Sequence, residues 1–267
     1  MKKYSALLKY EIKTILKDSF GLALTVYPLL MLIIIGFVLP AALKKASAAT
    51  VATTLLLMIC LALSIIGYMG GVLLGFSLIE NKDENTISAI AVTPVSVNGY
   101  LIFKIIYTYL YSIIANLVLI GGLRLFAYHN FIIEYNGNPI SLLENISWLY
   151  IVVFSLVNSV FVPAVALLLA ALAGNKIEGF AFLKAGGIIL IIPLLSLLNF
   201  FQNGKQYLLG IIPNFWPLKA MINIMFDSQH PSDLNYYFYM LIGFIYMAFL
   251  AVGCFKLFVY KLKTTGK

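Results

Sequence analysis

Charge is scarce in this sequence: Asp, Glu, Lys and Arg together make up 10% of its 267 residues, with ten acids, two histidines and two cysteines. Each shortage excludes something. A soluble domain of this length needs a polar exterior, and a mean hydropathy of +0.99 leaves too little polar surface to build one. Cys60 and Cys254 stand far from any CxxC or Cys/His spacing, so neither a disulfide nor a metal framework is expected. Both read as small buried residues. The sequence holds no GxxxxGK[ST] phosphate loop, no GxSxG elbow, no HExxH pair and no paired carboxylates. His129 and His230 fall in separate loops and read as surface histidines. No catalytic residue, cofactor or metal is expected in this chain.

What the sequence has instead is apolar residues in long tracts. About 20 apolar residues in a helix cross a hydrocarbon core of roughly 30 Å. Six tracts of that kind run over 20–40, 51–79, 99–122, 148–173, 182–201 and 238–260. None alternates apolar with polar as a barrel strand would. The expected fold class is an all-α integral membrane protein with six transmembrane helices, 20–262 forming one transmembrane domain and 263–267 a short tail.

Residues 1–19 carry five lysines and two acids, and no small-residue cleavage site follows the first tract, so a cleaved signal peptide is not expected. At about 100° per residue, Tyr4, Leu7, Leu8, Ile12, Ile15 and Leu16 share one side of a helix and the lysines the other. That pattern predicts an amphipathic helix lying in the membrane interface; a solvated lead-in helix is the plainer alternative. Six spans place both termini on one side, and that side collects thirteen of the eighteen basic residues, a net +7 against +1 across the membrane. The positive-inside rule makes that side cytoplasmic. Because the lysines are scattered over tails and short loops, the basic excess marks orientation and not a nucleic-acid footprint.

Within the second tract Gly67, Gly71 and Gly75 recur every four residues, a small-residue face for close helix packing or for a dimer. Every Asp, Glu and His falls in a tail, a loop or a span end. Ion-driven pumps place such groups at mid-membrane, so gradient coupling lacks its usual residues. Ser64, Asn116, Asn158 and Ser196 are the intramembrane polar groups, and they read as glue between helices.

One polar island remains, Glu80-Asn81-Lys82-Asp83-Glu84-Asn85. Behind it Ile87, Ile90 and Ala91 recur at helical spacing until Pro94 disfavours helix at Thr93. So short a helix, with acids at its start, is not stable alone. Its apolar face needs a cover: the bilayer surface, the neighbouring amphipathic segment or a soluble partner. Further on, the loop 202–235 holds an apolar stretch, Tyr207 to Phe226, interrupted by Pro213 and Pro217. It predicts a broken, re-entrant external segment shaping the outer mouth, with a plain surface loop as the alternative.

The acid-rich lead-in, Thr86-Ile87, Val92-Thr93-Pro94-Val95-Ser96, Tyr100-Leu101 and Lys104 together resemble the first cytoplasmic loop of ABC type-2 transporter permeases. The N-terminal amphipathic segment resembles that family's connecting helix, and Gly174 to Gly179 through Lys184 resembles its second cytoplasmic loop. Pro213, Trp216, Pro217 and Lys219 resemble its external segment. Asn85 and Ser88 depart from the pattern, where relatives often carry Gly and Glu.

The resemblance implies a multi-pass permease subunit of an ATP-driven exporter in the cytoplasmic membrane of a prokaryote, moving an amphiphile such as a drug, antibiotic, lipid or peptide. Some relatives that resemble this chain are described as antibiotic exporters, fluoroquinolone exporters among them. It implies two copies of a separate ABC ATPase, which would hold the ATP and Mg, and a homodimer or a heterodimer with a second permease, with membrane lipid as a further partner. Asp83, Glu84, Thr86, Ile87, Ile90, Ala91, Thr93 and Pro94, in the loop 80–98, would form the coupling helix that docks the ATPase. Lys176 and Glu178 would form a second contact. Two other classes stay open. A secondary transporter would stop when the ion gradient collapses with ATP intact. A non-transporting anchor or sensor would need a soluble domain or long tail, and seven residues follow Tyr260.

Overall fold

The computed structural model describes residues 13–14, 17–84, 86, 90, 96–135, 138–144, 146–226 and 231–265. Among them, six helices are long and apolar enough to cross a membrane: α1 (Ser19–Lys45), α2 (Ala48–Asp83), α3 (Val97–Phe131), α4 (Trp148–Leu172), α5 (Lys176–Leu197) and, after a short helix α6 (Phe215–Phe226), α7 (Tyr236–Thr265). The chain is an all-α six-span membrane protein. One element lies outside that class. An antiparallel hairpin of β1 (Ile132–Tyr135) and β2 (Asn138–Ser141) follows α3 with Ile133 opposite Ile140, and Phe131, Leu142, Leu143 and Ile146 sink into the core beside it.

The spans start where short polar side chains can cap them. Asp18, Ser47, Ser96, Ser147 and Asn175 each accept a bond from a backbone N–H three residues on, at the heads of α1, α2, α3, α4 and α5. Inside α4 the regular helix is interrupted at Val160. Pro163 has no N–H for the Ser159 carbonyl, which accounts for the break. Of the amphipathic segment, Lys13, Thr14 and Lys17 are helical and exposed; its apolar face, Tyr4 to Leu16, lies outside the described residues.

Two interactions hold the bundle's centre. The first is a contact too close for side chains. A Cβ on Gly71 would stand 2.7 Å from the Val165 Cβ and 3.1 Å from the Val162 carbonyl oxygen, and one on Gly75 would stand 2.7 Å from Leu169 Cδ2. At Gly67 the neighbour is Asn158 Nδ2, at 2.9 Å. The glycine face is therefore filled by α4 of the same chain. It is not the dimer face that the sequence also allowed, because all three glycines are buried within the protomer.

The second is a polar belt between α3 and α4. Asn158 Nδ2 donates to Asn116 Oδ1 at 3.1 Å and Ser159 Oγ to Ser112 Oγ at 3.1 Å between the helices, while Asn116 Nδ2 donates within α3 to the Ser112 carbonyl at 2.8 Å. Such interhelical bonds contribute about 0.6 kcal/mol each in a membrane. The two amides thus join helices, whereas Ser64 and Ser196 keep buried hydroxyls that find no partner among the described residues.

Gly187 supplies the control for the glycine seam, since nothing lies within 4 Å of a Cβ there. Gly71→Ala is expected to destabilise the protein by about 1–3 kcal/mol through overpacking, seen as a lower melting temperature in detergent. Gly187→Ala should leave that temperature unchanged or raise it.

Candidate functional site

At the terminal side of the bundle, α2 overshoots. Its 36 residues extend about 54 Å at 1.5 Å per residue, well past the hydrocarbon thickness of about 30 Å. The overshoot carries the polar island. Asp83, read from sequence as part of the start of the next helix, instead ends α2, and the Glu84 N–H bonds back to the Glu80 carbonyl at 2.9 Å. Thr86 and Ile90 are helical and half-buried. Ile87, Ala91, Thr93 and Pro94 lie outside the described residues.

Each polar side chain of the overshoot reaches a different neighbour. Ser77 Oγ accepts from Lys104 Nζ of α3 at 2.7 Å, and Asn81 Nδ2 donates to the Tyr100 hydroxyl at 3.0 Å. Glu80 Oε1 accepts from Lys176 Nζ of α5 at 2.8 Å. Lys82 Nζ donates to the carbonyls of Ala170 and Ala173 at 2.9 and 3.1 Å. Those carbonyls sit where α4 ends and helical partners run out. Lys104 is only 2% exposed, in the third span, with its ammonium 5.1 Å from the Tyr100 ring centre. A lysine at that depth is costly unless it is bonded.

The second predicted contact is built around α5's first turn. The Glu178 N–H donates to Asn175 Oδ1 at 2.9 Å, and Glu178 Oε2 accepts from the Gly174 N–H at 2.7 Å. This reciprocal cap commits the Glu178 carboxylate to local structure. Lys176 remains half exposed while it reaches across to Glu80.

On the opposite side, 202–226 folds into a buried hairpin. A run of 3-10 turns, Gly204–Ile211, leads down and α6 leads back, with Pro213 in the turn between. Depth can be read off its neighbours. The Ile211 carbonyl accepts from Tyr246, ten residues into α7 and so about 15 Å from its outer end. Asn214 Nδ2 donates to the Leu190 carbonyl at mid-α5, at 3.3 Å. Trp216 Nε1 closes the tip on the Gly210 carbonyl at 3.0 Å. Nine of α6's twelve residues are buried, Pro217 and Lys219 among them.

Lys219 is balanced by a carboxylate. Asp233 Oδ1 receives Lys219 Nζ at 3.3 Å, Gln206 Nε2 at 2.9 Å and the Tyr239 hydroxyl at 3.3 Å, with the lysine and aspartate side chains 5% and 1% exposed. Burial lowers the Lys219 pKa, and the Asp233 charge and hydrogen bond oppose that shift.

Between the hairpin tip and the spans lies a cavity of about 300 Å³. Tyr68 of α2, Phe161 and Val165 of α4, Phe182, Gly186 and Ile189 of α5, and Ile212 and Pro213 of the tip line it. No charged side chain does. The Tyr68 hydroxyl is taken up by the Leu183 carbonyl at 2.9 Å. Leu168, Leu172, Phe182 and Ile189 on its rim are exposed, so the cavity opens on an apolar surface of the bundle. Sequence reasoning pointed to Pro213 and missed Tyr68, Phe161 and Asp233, which belong to segments far apart in the chain.

Six apolar helices, a buried broken hairpin and an apolar cavity are the frame of a multi-pass membrane protein. The chain belongs to the family described as fluoroquinolones export permease protein Rv2686c-like, whose model matches residues 11–255. That membership makes it an ABC-2-type drug-exporter permease. No curated protein sequence matches it.

Lys219→Met would leave Asp233 buried without its cation. The expected cost is about 3–5 kcal/mol, measured as loss of thermal stability in detergent, and adding Asp233→Asn should restore part of it.

Proposed function

We propose that this chain is the membrane subunit of an ATP-driven exporter, moving an amphiphile out across the cytoplasmic membrane under power from a separate ABC ATPase. The observation that carries the reading is the apolar cavity beneath the hairpin tip in a member of an export-permease family. Its volume matches the lower end of small-molecule sites. Its uncharged walls suit the ring system of an amphiphile that enters from the bilayer, and the fluoroquinolones in the family's description are flat aromatic amphiphiles of that kind.

The sequence carries no phosphate loop of its own, so the ATP and Mg would sit on the partner, in two copies facing a permease dimer. Both termini would be cytoplasmic, on the side favoured by the lysine bias. The ATPase would grip the turn after Asp83, with Thr86, Ile87 and Ile90 as its apolar contact and Lys176 alongside. Closure of the ATPase pair would then tilt the spans as packed bodies.

Two variants separate docking from transport. Ile87→Asp with Ile90→Asp should release the ATPase from purified membranes, and unchanged co-purification would refute the docking surface. Ala185→Trp, filling the cavity, should cut ATP-driven norfloxacin uptake by inside-out vesicles at least tenfold while the ATPase stays bound.

A further inference from the structure

The end of α2 does more than carry a docking turn. Ordinarily the last carbonyls of a helix are satisfied by its own C-cap, by water or by local turns. Here the Gly174 N–H, which could have continued the ladder to the Ala170 carbonyl, is taken by Glu178, and the ammonium of Lys82 from another helix takes the carbonyl instead. The end of α4 is thereby capped by α2. The same stretch of α2 is tied to α5 by Glu80–Lys176 and, further in, by the Tyr68 bond to Leu183. Gly179 lets α5 press on α2 with nothing between: a Cβ there would stand 3.0 Å from Ile79 Cδ1 and 3.3 Å from the Phe76 ring.

We propose that Lys82, together with the Glu80–Lys176 pair, locks the terminal-side ends of α2, α4 and α5 into one rigid body, so that the two turns read as ATPase contacts deliver a single input. This rests on the export reading above and adds to it a positioning residue, Lys82, which acts through α4. Energy alone does not give the Lys176–Glu80 pair its importance, since half-exposed ion pairs contribute little. Its importance is geometric. One helical turn of sliding between α2 and α4, about 5.4 Å, would break both Lys82 bonds.

The test uses the full chain with its ATPase in inside-out vesicles, with Cys254→Ser and the buried Cys60 retained. Glu80→Cys with Lys176→Cys is oxidised to a disulfide, and ATP-driven norfloxacin uptake is compared before and after reduction. A rigid body predicts that uptake in the oxidised state equals or exceeds that in the reduced state. A tenfold loss on oxidation, restored by reductant, overturns the proposal. Lys82→Met should lower uptake at least tenfold with the ATPase still co-purifying, and Lys82→Arg should recover most of it; full activity in Lys82→Met also overturns the proposal. Hydrogen exchange on the purified chain in nanodiscs needs no ATPase. Lys82→Met should speed exchange by a similar factor in 78–83 and 170–174, and an effect confined to 170–174 overturns the rigid body. If wild-type vesicles show no ATP-driven uptake, the export reading fails, and the exchange result alone decides the rigid body.

Discussion

Because Gly67, Gly71 and Gly75 present no side chains, α2 and α4 approach until backbone meets side chain, and that separation fixes much of the remaining geometry. Close approach places Asn158 where it can bond Asn116 across to α3. It also brings Lys82 within hydrogen-bond distance of the last carbonyls of α4. A methyl group on the seam would act on all of these at once, since packed helices shift as units and do not deform locally. A seam of small residues is how helices gain contact where the hydrophobic effect offers no drive between them.

In hydrocarbon a charged side chain is costly unless it finds a partner inside the protein, and the chain supplies partners differently at its two ends. On the terminal side, Lys82 and Lys104 donate to a carbonyl pair and a hydroxyl, so charge is spread over neutral acceptors. On the opposite side, Lys219 faces a full carboxylate that gathers further donors from Gln206 and Tyr239. The first arrangement ties span to span. The second pins a hairpin, which by its depth would otherwise leave broken backbone in an apolar setting. The cavity lies between them, walled by α4 and α5 and roofed by the hairpin tip.

The fold class could be read from sequence because a spanning helix announces itself through composition over some twenty residues, but apolar windows place the starts less well, and the span expected from 182 begins at Lys176, behind its Asn175 cap. The broken hairpin was legible for a similar reason, since Pro213 and Pro217 forbid a continuous span. What could not be read depends on contacts between distant segments. Lys104 falls inside the predicted span 99–122, but that it is buried there follows from its bond to Ser77 of α2, 27 positions away. The capping of α4 by Lys82 spans 88 positions. No periodicity encodes it. The β-hairpin was missed because four-residue strands between two long helices carry no alternation long enough to register.

Stability is distributed unevenly around the cavity, and that distribution bears on how cargo could pass. Its α2 and α4 walls belong to the glycine seam and the capped helix ends, the most heavily bonded part of the bundle. The hairpin's base is held by the buried ion pair and its aromatic neighbours, Tyr207 and Tyr239. The tip rests on neutral hydrogen bonds to α5 and α7, from Asn214 and from Tyr246. A neutral hydrogen bond contributes about 1 kcal/mol net, while breaking a buried charge pair costs several. The tip is therefore the cheapest part of the cavity wall to move. In the export reading, a rigid body on the terminal side suits that asymmetry. Force applied at the end of α2 is not dissipated by sliding there, and the weakest joint it meets is the one roofing the cavity on the side where cargo leaves.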